Sequence, residues 1–165
     1  LQGNVPINFV PAWKKNDPRL EQDAIDLWTK LDALTPDTNP KTHSKMLSVV
    51  AYDGEAVVAL STLDVRYFEQ LRQKFAFIDI LVEPSNRMQK ISVDMMRQTR
   101  AVIEAYALER PEERLAGMAA VFKKKGIGRM PIGTGGRTVL VGYTEEGYQL
   151  RVAWFDHFTV PAVGE

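Results

Sequence analysis

The sequence predicts an α/β fold of the α+β-like kind, a mixed and mostly antiparallel central sheet with helices on both faces. Three observations lead there. Met46 to Tyr52 and Glu55 to Val65 are β-rich runs joined by Asp53 and Gly54, a two-residue hairpin signal. Phe75 to Val82 is apolar except for Asp79, as a central strand covered on both faces should be. A long helical pattern follows it, and a second hairpin closes the chain, an order that suits a meander with packed helices better than a doubly wound parallel sheet.

The elements follow in order. Ile7 to Trp13 reads as a short strand that Pro11 confines to an edge or a bulge. Asn16, Asp17 and Pro18 supply cap and first-turn chemistry for a helix whose Ala24, Leu27, Trp28, Leu31 and Leu34 recur at spacings of three and four. Thr35 to Ser44, with Pro36 and Pro40, reads as a loop on the substrate side. After the first hairpin, Arg66 to Lys74 is a polar link, and the strand from Phe75 runs into Glu83, Pro84, Ser85 and Asn86. The next helix places Ile91, Met95, Thr99, Val102 and Tyr106 on one side and runs to about Leu108. Pro111, Glu112 and Glu113 predict a further helix, with Leu115, Met118, Ala119 and Phe122 inward and a stop at Lys123, Lys124, Lys125 and Gly126. Thr138 to Tyr143 and Tyr148 to Phe155 form the closing hairpin around Thr144 to Gly147.

A length of 165 residues is expected to form a single domain over 1–165. The chain has no cysteine, which excludes disulfides, thiolate nucleophiles and Cys-based zinc sites. Basic and acidic residues both number 21, so no global charge draws the chain to nucleic acid or an anionic membrane. No apolar run approaches the roughly 20 residues needed to span a bilayer. The start, LQGNVPINF, lacks a basic segment followed by an apolar one, so no signal peptide is expected and a cytoplasmic location is.

The junction behind the strand from Phe75 carries the functional signal. Val82, Pro84, Arg87 and Ile91 resemble the pattern V-x-P-x-x-[RQ]-x-x-G-x-[GA] of the GNAT acyltransferase superfamily, and the element order resembles it over roughly Ile7 to Phe155. The resemblance implies a GNAT-like acyl-CoA acyltransferase fold. It also implies a cofactor, acetyl-CoA or another acyl-CoA, with its pyrophosphate on main-chain N–H groups at the start of the following helix. Free amides and the positive dipole end there favour an anion. Met88, Gln89, Lys90, Ile91 and Ser92 would supply the donors, Arg87 and Lys90 could add charge-assisted contacts, and Leu81 and Val82 flank the cofactor. A capped helix is the plainer reading, with Ser85 or Asn86 at its start and Arg87 solvated.

The sequence departs from the pattern in three places. Lys90 and Ser92 stand where it has glycine and glycine or alanine. Phe122 stands where the family's Y-x-x-x-G-F helix has a tyrosine that often serves as general acid, and Leu108 to Arg110 leaves little room for the strand that usually lies between the two helices.

Asp79, alone among apolar residues, is the candidate catalytic base, because burial would raise its pKa toward neutrality. A sheet-face aspartate without chemistry is its other reading, and Asp64 and Glu69 are alternative carboxylates. The Gly-rich stretch Lys123 to Arg137 fits no phosphate-loop spacing and reads as a turn with a basic rim. His43 and His157, the only histidines, lie far apart, so no metal site is expected. Trp154, Phe155 and Phe158 read as packing residues.

The expectation is an N-acyltransferase acting on a small-molecule or peptide amine by direct attack, with a homodimer as one oligomeric option. A catalytically inactive GNAT-like binding or assembly module is the alternative. A third reading, a nucleic-acid-modifying acyltransferase, rests on Lys123 to Arg129.

Overall fold

The structure is a computed structural model that describes residues 5–85, 90–123, 128–133 and 137–164. Its strands are β1 (Asn8–Pro11), β2 (Leu47–Asp53), β3 (Ala56–Phe68), β4 (Gln73–Val82), β5 (Leu115–Phe122), β6 (Val139–Tyr143) and β7 (Gln149–Trp154). The helices are α1 (Pro18–Lys30), α2 (Pro40–His43) and α3 (Ile91–Glu109). The strands form one seven-stranded mixed sheet in the order β1-β2-β3-β4-β5-β7-β6. Two compact units divide the chain, Leu1–Leu63 with Asp79–Ile103, and Asp64–Ile78 with Glu104–Glu165.

In the first unit, Asp17 begins α1 as the sequence predicts. Its Oδ1 accepts from the Arg19 N–H at 2.9 Å, and Pro18 occupies the first turn, where a missing N–H is harmless. Leu20, Ala24, Leu27 and Trp28 of α1 pack on Val50, Tyr52 and Leu60, with Leu81 half-buried against them. The alternate residues Val49, Ala51, Val58, Ala59 and Val82 pack instead with Ile91 and Met95 of α3. Strand alternation thus sorts neighbouring side chains between two helices, one on each face. Each fully buried Val, Leu or Ile contributes roughly 1.5–3 kcal/mol. β1 pairs with β2 from Asn8↔Tyr52 to Pro11↔Val49, and Pro11 ends this edge strand. The β2–β3 hairpin is as expected, but its turn lies one residue later, on Gly54 and Glu55, because Asp53 still pairs with Ala56 and the positive φ of +61° falls on Gly54.

In the second unit, β5 pairs parallel with β4 from Lys74↔Leu115 to Phe77↔Ala119, and antiparallel with β7 from Gly117↔Trp154 to Phe122↔Gln149. Phe68, Phe75, Ala116, Ala119 and Val152 form its core, with Phe77, Trp154 and Phe158 packed against it. Phe75 and Trp154 meet edge to face at 5.0 Å, so the late aromatics are packing residues, as expected.

One predicted element is wrong. The helix expected from Pro111 is a single 3-10 turn, Pro111–Glu113, ended by Arg114 in the left-handed region at φ 50°. Leu115, Met118, Ala119 and Phe122 lie on strand β5. Their helical spacing misleads because β5 is a central strand whose first five residues are all buried, so no polar alternation marks it. The strand thought to be missing between two helices is therefore present and is β5. The polar link expected over Arg66 to Lys74 shrinks to residues 69–72, since β3 continues through Phe68 and β4 begins at Gln73.

Candidate functional site

The end of β4 delivers the chain to the start of α3. Past Val82, the Glu83 N–H still bonds the Val58 carbonyl at 2.8 Å. Ser85 then turns back: its N–H meets Glu83 Oε2 at 3.1 Å, and its hydroxyl bonds the same oxygen. Residues 86–89 lie outside the described part, so the expectations on Asn86, Arg87, Met88 and Gln89 fall there. α3 begins at Ile91, six residues past Ser85, so Ser85 is not its N-cap, a correction to the capped-helix reading.

The residue directly ahead of α3 is Lys90. Its side chain is exposed, its φ is +56°, and its carbonyl accepts from Val93 N–H at 3.1 Å and Asp94 N–H at 3.3 Å. Among the described residues, the helix ladder thus starts from the Lys90 carbonyl, with the amides of Ile91 and Ser92 in the first turn. A left-handed backbone is the conformation glycine adopts without cost. Lys90 therefore adopts a backbone conformation that glycine would hold without strain. Ile91 is buried in the core, so only its main chain could meet a ligand, whereas Ser92 is exposed. Val82 is buried among the α3 contacts, and the half-buried Leu81 packs toward α1.

Asp79 stands on β4 as expected, but its side chain is exposed. The burial on which its candidacy rested is absent: Ile78 and Ile80 alternate to the opposite face, and Phe77 and Leu81, on its own face, leave it exposed. Of the alternative carboxylates, Glu69 is exposed beyond β3, while Asp64 is paired. Its Oδ2 lies 3.1 Å from Arg66 Nε, and the Arg66 guanidinium lies over the Phe77 ring, 3.8 Å from its centroid.

Phe122 ends strand β5 and so does not occupy the tyrosine position of a family helix; that departure is withdrawn. The segment from Lys123 to Thr138 contains no tyrosine, and its described residues form no helix. Beneath it lies Arg151 of β7, only 2% exposed. Its Nη2 donates to the carbonyls of Gly128 (2.5 Å) and Met130 (2.6 Å), and its Nε to Gln149 Oε1 (2.9 Å). The described residues 128–133 of the basic stretch are thus tied down by a buried arginine, with Gly128 at φ +76°. Neither Arg66 nor Arg151 stood out in the sequence; the only trace was a lone cation in an otherwise apolar strand pattern.

The histidines are spent on packing: His43 lies against Trp28 at 4.7 Å and His157 on Phe155 at 5.4 Å. Among the described residues, no group of three His, Cys, Asp or Glu side chains could hold a metal, and no helix is long and apolar enough to cross a membrane. The Thr35 to Ser44 segment is partly helical, with Asn39 capping α2. It lines an open groove of about 710 Å³ with Gln22 and Ile25 of α1.

No protein-family model matches the sequence, and no curated protein matches it at the sequence level. Solved structures do match its fold. PH1933 from Pyrococcus horikoshii OT3 superposes with a TM-score of 0.58 at 12% identity, over 92% of this chain and 99% of that one. A GNAT-family acetyltransferase from Streptococcus pneumoniae gives 0.57 at 9% identity, over 91% and 100%. A bacterial toxin gives 0.56 at 9% identity, over 92% of each chain. The chain has the fold of the GNAT acetyltransferases, as a divergent example of it.

Proposed function

We propose that the protein is an acyl-CoA-dependent N-acyltransferase that passes an acyl group, most simply acetyl, to a primary amine by direct attack. The observation that carries this reading is Lys90. A residue other than glycine is held left-handed directly before α3, and the first-turn amides of Ile91 and Ser92 follow it in the segment after β4. Such amides suit a diphosphate. The fit is to main-chain donors, with the Ser92 hydroxyl and the Lys90 ammonium at hand to reinforce them.

A bound acyl-CoA supplies the activated thioester. The chain's own part is to hold the acceptor. Asp79, exposed on β4, suits its ammonium by charge and would assist loss of its proton to water. With no tyrosine in the segment from Lys123 to Thr138, the leaving thiol needs no dedicated acid there, since a thiol pKa of about 8.5 lets the thiolate depart unaided near neutral pH. Without cysteine, no thiol acyl-enzyme forms on the way.

Isothermal titration with acetyl-CoA and with CoA tests the reading. Binding of both, followed by thiol release on adding amines, supports it. Absence of heat and of any thermal shift with either ligand overturns it and leaves a GNAT-like binding module.

A further inference from the structure

We propose that the outer edge of β6 is an interface between two copies of this chain, each pairing its β6 antiparallel with the other's about a two-fold axis. The proposal goes beyond the acyltransfer reading and does not depend on it. All of its residues lie in the second unit.

β6 is the last strand of the sheet, so one side of it has no strand neighbour. Charge or proline ordinarily blunts such an edge, because its open N–H and C=O groups invite another chain. Val139–Tyr143 reads VLVGY and carries neither. A short segment covers only its first half: Ile132 bridges Val139, the Leu140 N–H donates to the Pro131 carbonyl at 2.8 Å, and the Gly133 N–H to the Thr138 carbonyl at 2.7 Å. Beyond Leu140, no described backbone pairs with the outer side of the strand. A register shift between Leu140 and Gly142 bends the strand there, and the apolar run continues past it to Tyr143. A Cβ on Gly142 would meet nothing within 4 Å, so the main chain lies open at that point. Glycine inside a strand often marks the close approach of another backbone.

The covering segment does not make the edge polar. Met130, Ile132 and Tyr143 are 65%, 67% and 62% exposed, so the covered half and the open half both present large apolar side chains. An apolar surface rimmed by charge is the mark of a protein contact.

The rim charges identify the partner. Arg129 stands exposed at the covered end, and Glu145 and Glu146 stand exposed in the turn that follows the strand. Arg137 is taken by Asp156 at 2.7 Å, and Glu146 bonds Thr144, whereas neither Arg129 nor Glu145 has a side-chain partner among the described residues. A two-fold axis reverses one strand against its copy. It therefore sets the Glu145 end of each β6 beside the Arg129 end of the other, and the same opposition of charge forms twice. A strand from a different protein would need this order of cation, apolar run and carboxylate, which a second copy already has.

Sedimentation velocity of the full chain from about 1 to about 100 μM tests the proposal. A dimer is expected, and Ile132→Lys and Tyr143→Lys should each raise its dissociation constant by about 10- to 100-fold, the scale of a lost interface anchor. Both side chains are exposed, so thermal melts of these variants should match the wild type. Arg129→Glu and Glu145→Arg should each weaken the dimer by about 10-fold through like charges at both ends. Mixed in equal amounts, the two charge variants should assemble with each other, and the double variant should regain the wild-type affinity. A wild type that stays monomeric throughout overturns the proposal, whether the edge then takes a strand of another protein or none. A dimer indifferent to Ile132→Lys and Tyr143→Lys, or charge variants that do not rescue one another, puts the contact elsewhere and overturns it equally.

Discussion

The phenol of Tyr52 on β2 donates to Asp23 Oδ2 on α1 at 2.5 Å, a polar bond beside the apolar packing of the helix on that strand. Burial first, and the Asp23 hydrogen bond second, raise the Tyr52 pKa well above its ordinary 10.0. Folded chains keep this proton where unfolded chains release it, so its contribution is complete below about pH 10 and is lost as the pH rises further. Tyr106 behaves alike, its pKa raised by its 2.6 Å bond to Glu113 and then by burial. Urea unfolding from about pH 9 to about pH 11 should show falling stability, with a shallower fall in Tyr52→Phe. At neutral pH that variant should lose about 1.5–3 kcal/mol, the scale of a hydrogen bond to a charged group.

Gly117 on β5 has no room for a side chain, since a Cβ there would land on the Ala153 carbonyl and 2.9 Å from Trp154 Cα. Gly117→Ala should destabilise by about 1–3 kcal/mol by prying β5 from β7. Gly142 on β6 has nothing within 4 Å of the same position, so Gly142→Ala should stay within about 0.5 kcal/mol. Thermal melts of the two side by side measure the contrast.

Gly128 and Arg151 depend on each other. A Cβ on Gly128 would sit 2.7 Å from Arg151 Nε, at a φ of +76° that disfavours any side chain. Gly128→Ala should therefore displace the guanidinium, while Arg151→Met strands two carbonyls at about 1–3 kcal/mol. Combining them should cost less than the sum of the singles, a coupling that a double-mutant cycle reads.

Ser61 stands between Ser48 and Thr99, its hydroxyl 2.7 Å from each, and all three are buried. The middle hydroxyl serves two partners, so Ser61→Ala should cost more than Ser48→Ala or Thr99→Val. Each end should cost about 1 kcal/mol and the centre about twice that. Chemical denaturation with an unchanged slope would confirm that only stability has moved.

Lys90 provides a test of the helix start. Lys90→Gly keeps a left-handed residue at no steric cost, whereas Lys90→Ala keeps the strain, so the glycine variant should be the more stable by about 1 kcal/mol. Acetyl-CoA affinity should follow the same order if main-chain amides hold the phosphates. A reversed order in calorimetry would count against that grip.

How far each element could be read depended on whether its surroundings left a mark on the chain. α1 was legible because its cap, its proline and its one-sided apolar stripe are local, and so was the β2–β3 hairpin, to within one residue at Gly54. β5 was not, because burial on both sides removed the alternation, and Leu115, Met118, Ala119 and Phe122 then fell by chance on a helical spacing. Asp79 shows the matching limit for sites: its apolar neighbours suggest burial, yet half of them point to the opposite face and the residue is exposed.

The sequence alone determined the backbone type of most segments, the sheet-with-helices class, the strand-to-helix junction at Glu83 to Ile91 and the absence of thiol chemistry. Tertiary structure decided that β5 is a strand between β4 and β7, that Lys90 turns left-handed, and that Arg66 lies on Phe77 beside Asp64. The division has one physical cause. Periodicity and caps act through residues a few places apart, whereas exposure, stacking and ion pairing depend on which distant segment supplies the neighbouring surface.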